Sequence, residues 1–163
     1  MSRIDTRVVT PADWRSWRDL RLAALADAPD AFGSRLADWA GADEARWRAR
    51  LEAVPVNLVL EIDGAPVGMV SLTAPDAEAQ VEVISLWVAP QTRGHGVGDE
   101  AIRQAVAHAA KRYPRHRVVL SVRPDNRHAL ALYERHEFTD AGPSPDDPGE
   151  RFMIRGDGAA DLE

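Results

Sequence analysis

The run Gln91-Thr-Arg-Gly-His-Gly-Val-Gly98 lies between an apolar, β-patterned segment, Val81 to Val88, and a helical pattern that begins near Gly96. A strand that turns into a helix through alternating glycines restricts what the chain can build. Glycine enters φ > 0 freely and has no side chain in the way. Successive N–H groups of such a turn can therefore converge on oxygen atoms, while the new helix adds the positive end of its dipole. The turn is either a cradle for an anion, most simply a phosphorylated cofactor, or a helix start without a ligand. Two familiar phosphate loops are excluded by spacing: the dinucleotide fingerprint needs glycine where Asp99 stands, and the P-loop needs a Gly-Lys-Ser/Thr sequence that is absent.

The flanking chain switches between the helix and strand periods. Ile4 to Val9 reads as a strand, and Pro11-Ala-Asp opens a helix carrying Trp14, Trp17, Leu20, Leu22, Ala24 and Leu25. Ala28 to Ser34 reads as an ordered loop, followed by a helix from Asp43 to Val54. Strands Asn57 to Ile62 and Pro66 to Thr73 flank Asp63-Gly64, a hairpin turn that needs positive φ. The helix after the glycine turn places Val97, Ala101, Ile102, Ala105, Val106 and Ala109 on one face and ends near Lys111-Arg112, where cations suit the dipole. Arg117 to Val122 is an apolar strand, a helix starts at Asn126, and the region from Phe138 ends in a strand near Arg151 to Ile154. This order predicts an α/β fold: a mixed central sheet flanked by helices on both faces. The glycine turn sits at the carboxyl end of its strand, where open α/β sheets bind ligands. A single domain is expected over residues 1–155, with a polar tail over 156–163.

With 163 residues, 45% of them apolar, the chain can bury one substantial core. No apolar run has membrane-spanning length and the start lacks a hydrophobic segment, so a cytoplasmic location is expected. The lack of cysteine removes disulfides, thiolate metal ligands and cysteine nucleophiles. His95, His108, His116, His128 and His136 have no carboxylate or cysteine at metal-ligand spacing, so they read as surface or loop residues and no metal is expected. A net charge of −6 disfavours a nucleic-acid footprint and suits small cationic or amine partners.

Gln91-x-x-Gly94-x-Gly96, preceded by Leu86-Trp87-Val88-Ala89-Pro90, resembles the acetyl-CoA signature of the GNAT family of N-acetyltransferases. A second family motif is matched by Asn126-Arg-His-Ala129-Leu-Ala-Leu132-Tyr133-Glu-Arg-His-Glu137-Phe138, with Glu137 where the family usually has glycine. The resemblance covers most of the chain and weakens at both ends. It implies the GNAT acyl-CoA acyltransferase fold, in which the central parallel strands Val81–Val88 and Arg117–Val122 splay apart to admit acetyl-CoA. The pantetheine arm would pair with backbone near Leu86, Trp87 and Val88. The pyrophosphate would rest on N–H groups of Arg93, Gly94, His95, Gly96, Val97 and Gly98, with Gln91, Asn126, Ala129 and Tyr133 completing the cofactor set. Asp99 and Glu100 place negative charge beside that cradle, and their side chains are expected to point away.

The implied activity is direct transfer of an acetyl group to a primary amine in a ternary complex, the absence of cysteine removing the usual covalent route. The acceptor is left open among a small molecule, a peptide N-terminus and a lysine. No nucleic acid or membrane partner is implied, and a homodimer is allowed. A different class of answer is an acyl-CoA-binding regulatory module, which would need neither Tyr133 nor Glu82.

Amine attack on a thioester needs a neutral nucleophile, and an alkyl amine is only about one part in a few thousand deprotonated at pH 7. Glu82 occupies the position where several family members carry a base acting through water. Strict alternation would put Ile84, Leu86 and Val88 on its face and Ser85 on the other, and apolar neighbours would raise its pKa. The competing reading is a solvated carboxylate at a strand start. By resemblance the backbone N–H of Val88 receives the oxyanion, and Tyr133 is the acid for the departing thiolate, against a plain role as a core aromatic. Asn126 is a helix N-cap, a cofactor contact or both. Phe32, within the Asp30 to Ser34 loop, is assigned with Glu82 to the acceptor pocket. Arg93, Arg123 and Arg127 are candidates for the nucleotide phosphates or plain solvated surface arginines, while Trp14, Trp17, Trp39 and Trp47 read as core and helix-contact aromatics.

Overall fold

The structure is a computed structural model and describes residues 3–29 and 35–156. Seven strands form one sheet: β1 Ile4–Val8, β2 Val56–Ile62, β3 Ala65–Leu72, β4 Gln80–Val88, β5 Arg117–Val122, β6 Phe138–Pro143 and β7 Arg151–Arg155. Their order across the sheet is β1-β2-β3-β4-β5-β7-β6, antiparallel throughout except for β4 beside β5. The helices are α1 Trp14–Asp27, α2 Leu36–Trp39, α3 Glu44–Ala53, α4 Val97–Arg112 and α5 Arg127–Arg135. The mixed α/β architecture with helices on both faces is the one the sequence predicts.

Each face of the sheet has its own core, as alternation requires. Leu58, Leu60, Val70 and Leu72 of β2 and β3 pack with Val97, Ala101, Ile102 and Ala105 of α4 and with Tyr133 of α5. Val59 and Met69 point the other way, onto Trp14, Trp17, Leu20, Trp47 and Leu51 of α1 and α3. The predicted core stripe of α4 is buried as expected, with Val106 at its margin. Trp39 packs on Trp47 with ring centroids 4.8 Å apart and planes inclined at 44°, and Trp14 and Trp17 lie in the same core, so these tryptophans are core and helix-contact aromatics.

Strict alternation fails in β4. The carbonyl of Glu82 accepts from Thr73 N at 2.9 Å, and Ala89 N donates to Val67 O at 2.8 Å. Both residues therefore turn their polar backbone toward β3. They are an odd number of residues apart, which a two-residue period cannot satisfy; one extra residue must intervene. Ser85 is that residue, held at φ 57°, and the pairing with β3 jumps from Ser71 opposite Ile84 to Met69 opposite Trp87. The bulge reverses the faces. Val81 and Val83 belong to the α4 core before it, whereas Leu86 and Val88 pack against that core after it and Trp87 joins the α1/α3 core. Leu86 and Val88 thus do not share a face with Glu82, contrary to expectation. Ser85 is not turned away from that face either, because its hydroxyl meets α3 there.

Two elements lack a sequence signal. The four-residue α2 is too short for a period to register, and β6 buries only Phe138 at its start while Gly142 and Pro143 close it. The α5–β6 corner also departs from the usual chemistry. Glu137, in the place of the family's glycine, is held at φ 72°. Its carbonyl accepts from Gly156 N at 2.9 Å, and its carboxylate lies 3.3 Å from the Arg155 guanidinium. A left-handed conformation costs a non-glycine residue about 1–2 kcal/mol, partly offset for glycine by its greater loss of chain entropy. The Arg155 pair is largely exposed on the Glu137 side and contributes little. Glu137→Gly is therefore expected to stabilise the fold by about 0.5 kcal/mol or more, read as a higher urea midpoint at unchanged slope. An unchanged or lower midpoint would show that the Arg155 contact outweighs the backbone strain.

Candidate active site

The bulge opens the site. β4 and β5 pair in parallel only where Gln80, Val81 and Glu82 lie beside Arg117, Val118 and Val119. Beyond that point the strands separate, as the resemblance implies. Because Ala89 N faces β3, the N–H and C=O of Val88 face the gap. Its carbonyl accepts from Arg93 Nε at 3.2 Å. A cleft of about 810 Å³ occupies the gap and continues over the glycine turn to α5.

Its walls come from four segments. Leu86, Trp87 and Val88 supply the strand side, Gly94, Gly96, Val97 and Gly98 the turn, Ser121, Val122 and Arg123 the facing strand, and Asn126, Ala129, Leu132 and Tyr133 the helix. The glycines serve different ends. Gly94 and Gly96 have φ of 83° and 84°, with open space where a Cβ would be, whereas a Cβ on Gly98 would meet Leu132 at 3.3 Å. Among the described residues the N–H groups of residues 94 to 99 donate to no protein acceptor, the first bond of α4 being Glu100 N to Gly96 O at 3.0 Å. They are the donors an anion would meet. Arg93 N differs, since it donates to Pro90 O at 3.4 Å.

Charge around the turn is arranged to the same end. The Asp99 carboxylate is taken up by Arg135, at 3.2 Å, and by His136 Nε2, at 2.8 Å. Burial raises its pKa, but these hydrogen bonds outweigh burial and hold it below the usual carboxylate range. Glu100 is tied to Arg103 and Gln104. Neither carboxylate is a free negative charge at the cradle. His136, in the turn after α5, is a partly buried hydrogen-bond partner of Asp99. Arg93, Arg123 and Arg135 line the cleft, two of them paired with the carboxylates Asp27 and Asp99 that line it too.

The Arg93 guanidinium turns to Asp27 at the end of α1, 2.5 Å away. Asp27 also accepts from Trp87 Nε1 at 3.0 Å, and these two hydrogen bonds hold its carboxyl below the ordinary range. Asp27 joins α1, β4 and the glycine turn. The sequence carries no sign of this, since its partners lie more than 55 residues away.

Tyr133 is buried at the cleft wall, its ring edge-on to Phe138 at 6.1 Å, and among the described residues its hydroxyl makes no hydrogen bond. Desolvation pushes its pKa up, so it remains a proton donor across the working pH range. Asn126 is both cap and wall: its side chain accepts from Ala129 N at 3.2 Å. Glu82 is partly buried outside the cleft wall, where β4 and β5 still pair. Burial raises its pKa most, and the negative charges of Asp146, Glu150 and Asp76 add to the rise. Gln91 and His95 are exposed and do not line the cleft. Arg127 is exposed at the start of α5. Phe32 lies outside the described residues. Among the described residues no cluster of acidic and histidine side chains could hold a metal ion, and no helix is long and apolar enough to cross a membrane.

Solved structures share this architecture. A GNAT-family acetyltransferase from Streptococcus pneumoniae superposes with a TM-score of 0.72 at 17% identity, covering 93% of this chain and 97% of that one. The PaiA N-acetyltransferase from Thermoplasma acidophilum, solved with coenzyme A, gives 0.74 at 13% identity over 94% and 98% of the two chains. The ribosomal L7/L12 alpha-N-protein acetyltransferase RimL, also solved with coenzyme A, gives 0.75 at 15% identity over 95% and 94%. No curated protein sequence matches the chain. The sequence model described as "Acetyltransferase (GNAT) family" matches residues 14–138, from the start of α1 through Phe138. A chain with that match, this splayed sheet and this glycine turn belongs to the GNAT family of acetyltransferases.

Proposed function

We propose that the cleft binds acetyl-CoA and that the protein transfers the acetyl group directly to a primary amine. The observation that supports this best is that one cleft is lined by residues 94 and 96 to 99, whose N–H groups are unused, by Val88, whose N–H faces the gap, and by Tyr133. The first set would hold the pyrophosphate, with Leu86, Trp87 and Val88 flanking the pantetheine arm and Asn126 and Ala129 closing the other wall. Val88 N–H would donate to the carbonyl oxygen as it becomes an oxyanion.

In this reading the amine nitrogen forms a bond to the acetyl carbon and loses a proton through water to Glu82. The carbon–sulfur bond then breaks, and the sulfur keeps its electron pair. Tyr133 meets it. A thiol of this kind titrates near the cysteine value of about 8.5, well below a tyrosine whose pKa is pushed up by burial. Full proton transfer from Tyr133 is therefore uphill, and the hydroxyl acts by hydrogen-bonding the departing thiolate. Release of free thiol from acetyl-CoA across a panel of small amines, peptide N-termini and lysine peptides tests the reading; silence on every acceptor with intact acetyl-CoA binding would favour a binding module.

Three variants test its parts. Gly96→Glu forces a side chain onto a left-handed position and adds negative charge to the cradle. It should weaken acetyl-CoA binding by about 2 kcal/mol or more, the scale of lost charge-assisted hydrogen bonds. Calorimetry on a folded variant with unchanged affinity would remove the turn from the site.

Tyr133→Phe keeps the ring and its contact with Phe138. Acetyl-CoA affinity should hold while kcat falls by about 10-fold to 10³-fold, less for acyl donors whose thiol has a lower pKa. Wild-type kcat in the folded variant would make Tyr133 a packing residue.

Glu82→Gln should slow turnover by about 10²-fold and remove the acidic limb of the pH–rate profile, which the raised pKa puts above the usual carboxylate range. The same shift has a stability consequence. The folded state binds this proton more tightly than the unfolded chain, so the stability it supplies is present below the unfolded pKa and lost as pH rises through the folded one. Glu82→Gln should thus melt higher than wild type at pH 8 and alike at pH 4. A surviving acidic limb with full turnover would exclude Glu82 as the base.

A further inference from the structure

Arg50, on the last turn of α3, plays no part in the chemistry above, yet its guanidinium reaches three strands in succession. Nη1 donates to Asn57 Oδ1 of β2 at 3.0 Å, and Nη2 donates to Ser71 Oγ of β3 at 3.2 Å and to Ser85 Oγ of β4 at 3.3 Å. The first two partners are themselves fixed. Asn57 donates to Val54 O at 2.8 Å, and Ser71 Oγ donates to Asn57 Oδ1 at 2.7 Å. The guanidinium lies over the Trp17 ring, 5.3 Å from its centroid. Among the described residues no carboxylate pairs with Arg50. Desolvation, with repulsion from Arg21, lowers its pKa to about 10, so it is still a cation at neutral pH.

A partly buried cation bonded only to neutral oxygens is a costly arrangement, kept where geometry needs it. What it grips is the residue at φ 57°, in a conformation that persists in a serine only when its surroundings over-determine it. That residue is also the extra one in β4. Without it, period-two alternation from Glu82 would turn Val88 N–H into the β3 ladder and away from the gap.

We propose that Arg50 is a positioning residue which holds the Ser85 bulge and thereby keeps the Val88 N–H aimed into the cleft. The kinetic side of this inference rests on the acetyl-transfer reading; the structural side does not.

Glycine separates the clamp from other roles, because it takes φ > 0 without help. Ser85→Gly and Ser85→Ala both remove the hydroxyl, but only alanine is left with an unsupported strained backbone. Ser85→Ala should therefore show the lower kcat, by about 3-fold to 10-fold. Arg50→Met should lower kcat by about 10-fold or more with KM for acetyl-CoA within about 3-fold, and adding Ser85→Gly to it should recover most of the loss. Backbone carbon chemical shifts at residue 85 give the sign of φ independently of turnover. They should leave the left-handed region in Ser85→Ala and Arg50→Met and return to it in the double variant. Equal loss in Ser85→Gly and Ser85→Ala, a double variant as slow as Arg50→Met alone, or unchanged shifts at residue 85 in Arg50→Met would each overturn the proposal. If the wild-type protein acetylates no amine, the acetyl-transfer reading fails, and the shifts alone decide whether Arg50 holds the bulge; should Arg50→Met not fold, the two Ser85 variants decide.

Discussion

A β-strand has only two sets of backbone directions, and the residues between Glu82 and Ala89 must use both along one edge. Glu82 and Ala89 each bond to β3, while Val88 between them faces the opposite way. The single residue inserted at Ser85 makes this possible, and the cleft follows from it. Before the bulge β4 can pair with β5; after it the two strands part, the side chains of Leu86 and Val88 go to the α4 core, and Trp87 goes to the α1/α3 core. Trp87 there reaches Asp27, which also holds Arg93, so the far end of α1 is joined to the glycine turn.

Electrostatics divide the site into two ends. Over the glycine turn, helix N–H groups and the side chains of Arg93, Arg123 and Arg135 present donors and positive charge in a protein of net charge −6. Asp99, which would oppose an anion there, is engaged by Arg135 and His136, so the helix keeps an acidic first turn without leaving a free carboxylate at the cradle. At the start of β4 the sign reverses: Asp76, Asp146 and Glu150 bear on Glu82 and raise its pKa beyond what burial alone does. In the proposed reaction, where Glu82 takes up the proton of the amine, that repulsion favours the protonated form.

The parts of this site that were legible in the sequence are local. The glycine turn, the Asn126 cap and Tyr133 are each fixed by neighbours within a few residues, α4 carries an unbroken period, and β5 is a short apolar run. Ser85 was not legible, because alternation read along β4 assumes that no residue is inserted. Its support, Arg50, is 35 residues distant and sits in an ordinary amphipathic helix. Asp27 was missed for the same reason. Glu137 is the reverse case: the sequence marked it as a departure from glycine, and the backbone nevertheless keeps the left-handed conformation that glycine would supply.

The change of faces at Ser85 bears on how the proposed reaction could run. Glu82 and Ile84 lie on the α1/α3 face of the sheet, with Ser71 opposite Ile84. Tyr133, Leu86 and Val88 belong to the α4 side. A carbonyl held at the gap by Val88 N–H would have the base on one side of the sheet and the thiolate partner on the other. The amine adds to the carbonyl carbon and the thiolate leaves from the tetrahedral intermediate, so in this reading base and thiolate partner act on different substituents of that carbon. A regular strand running from Glu82 to Val88 would turn the Val88 N–H into the β3 ladder and put the side chains of Glu82, Leu86 and Val88 on one face. The bulge avoids both outcomes with one residue.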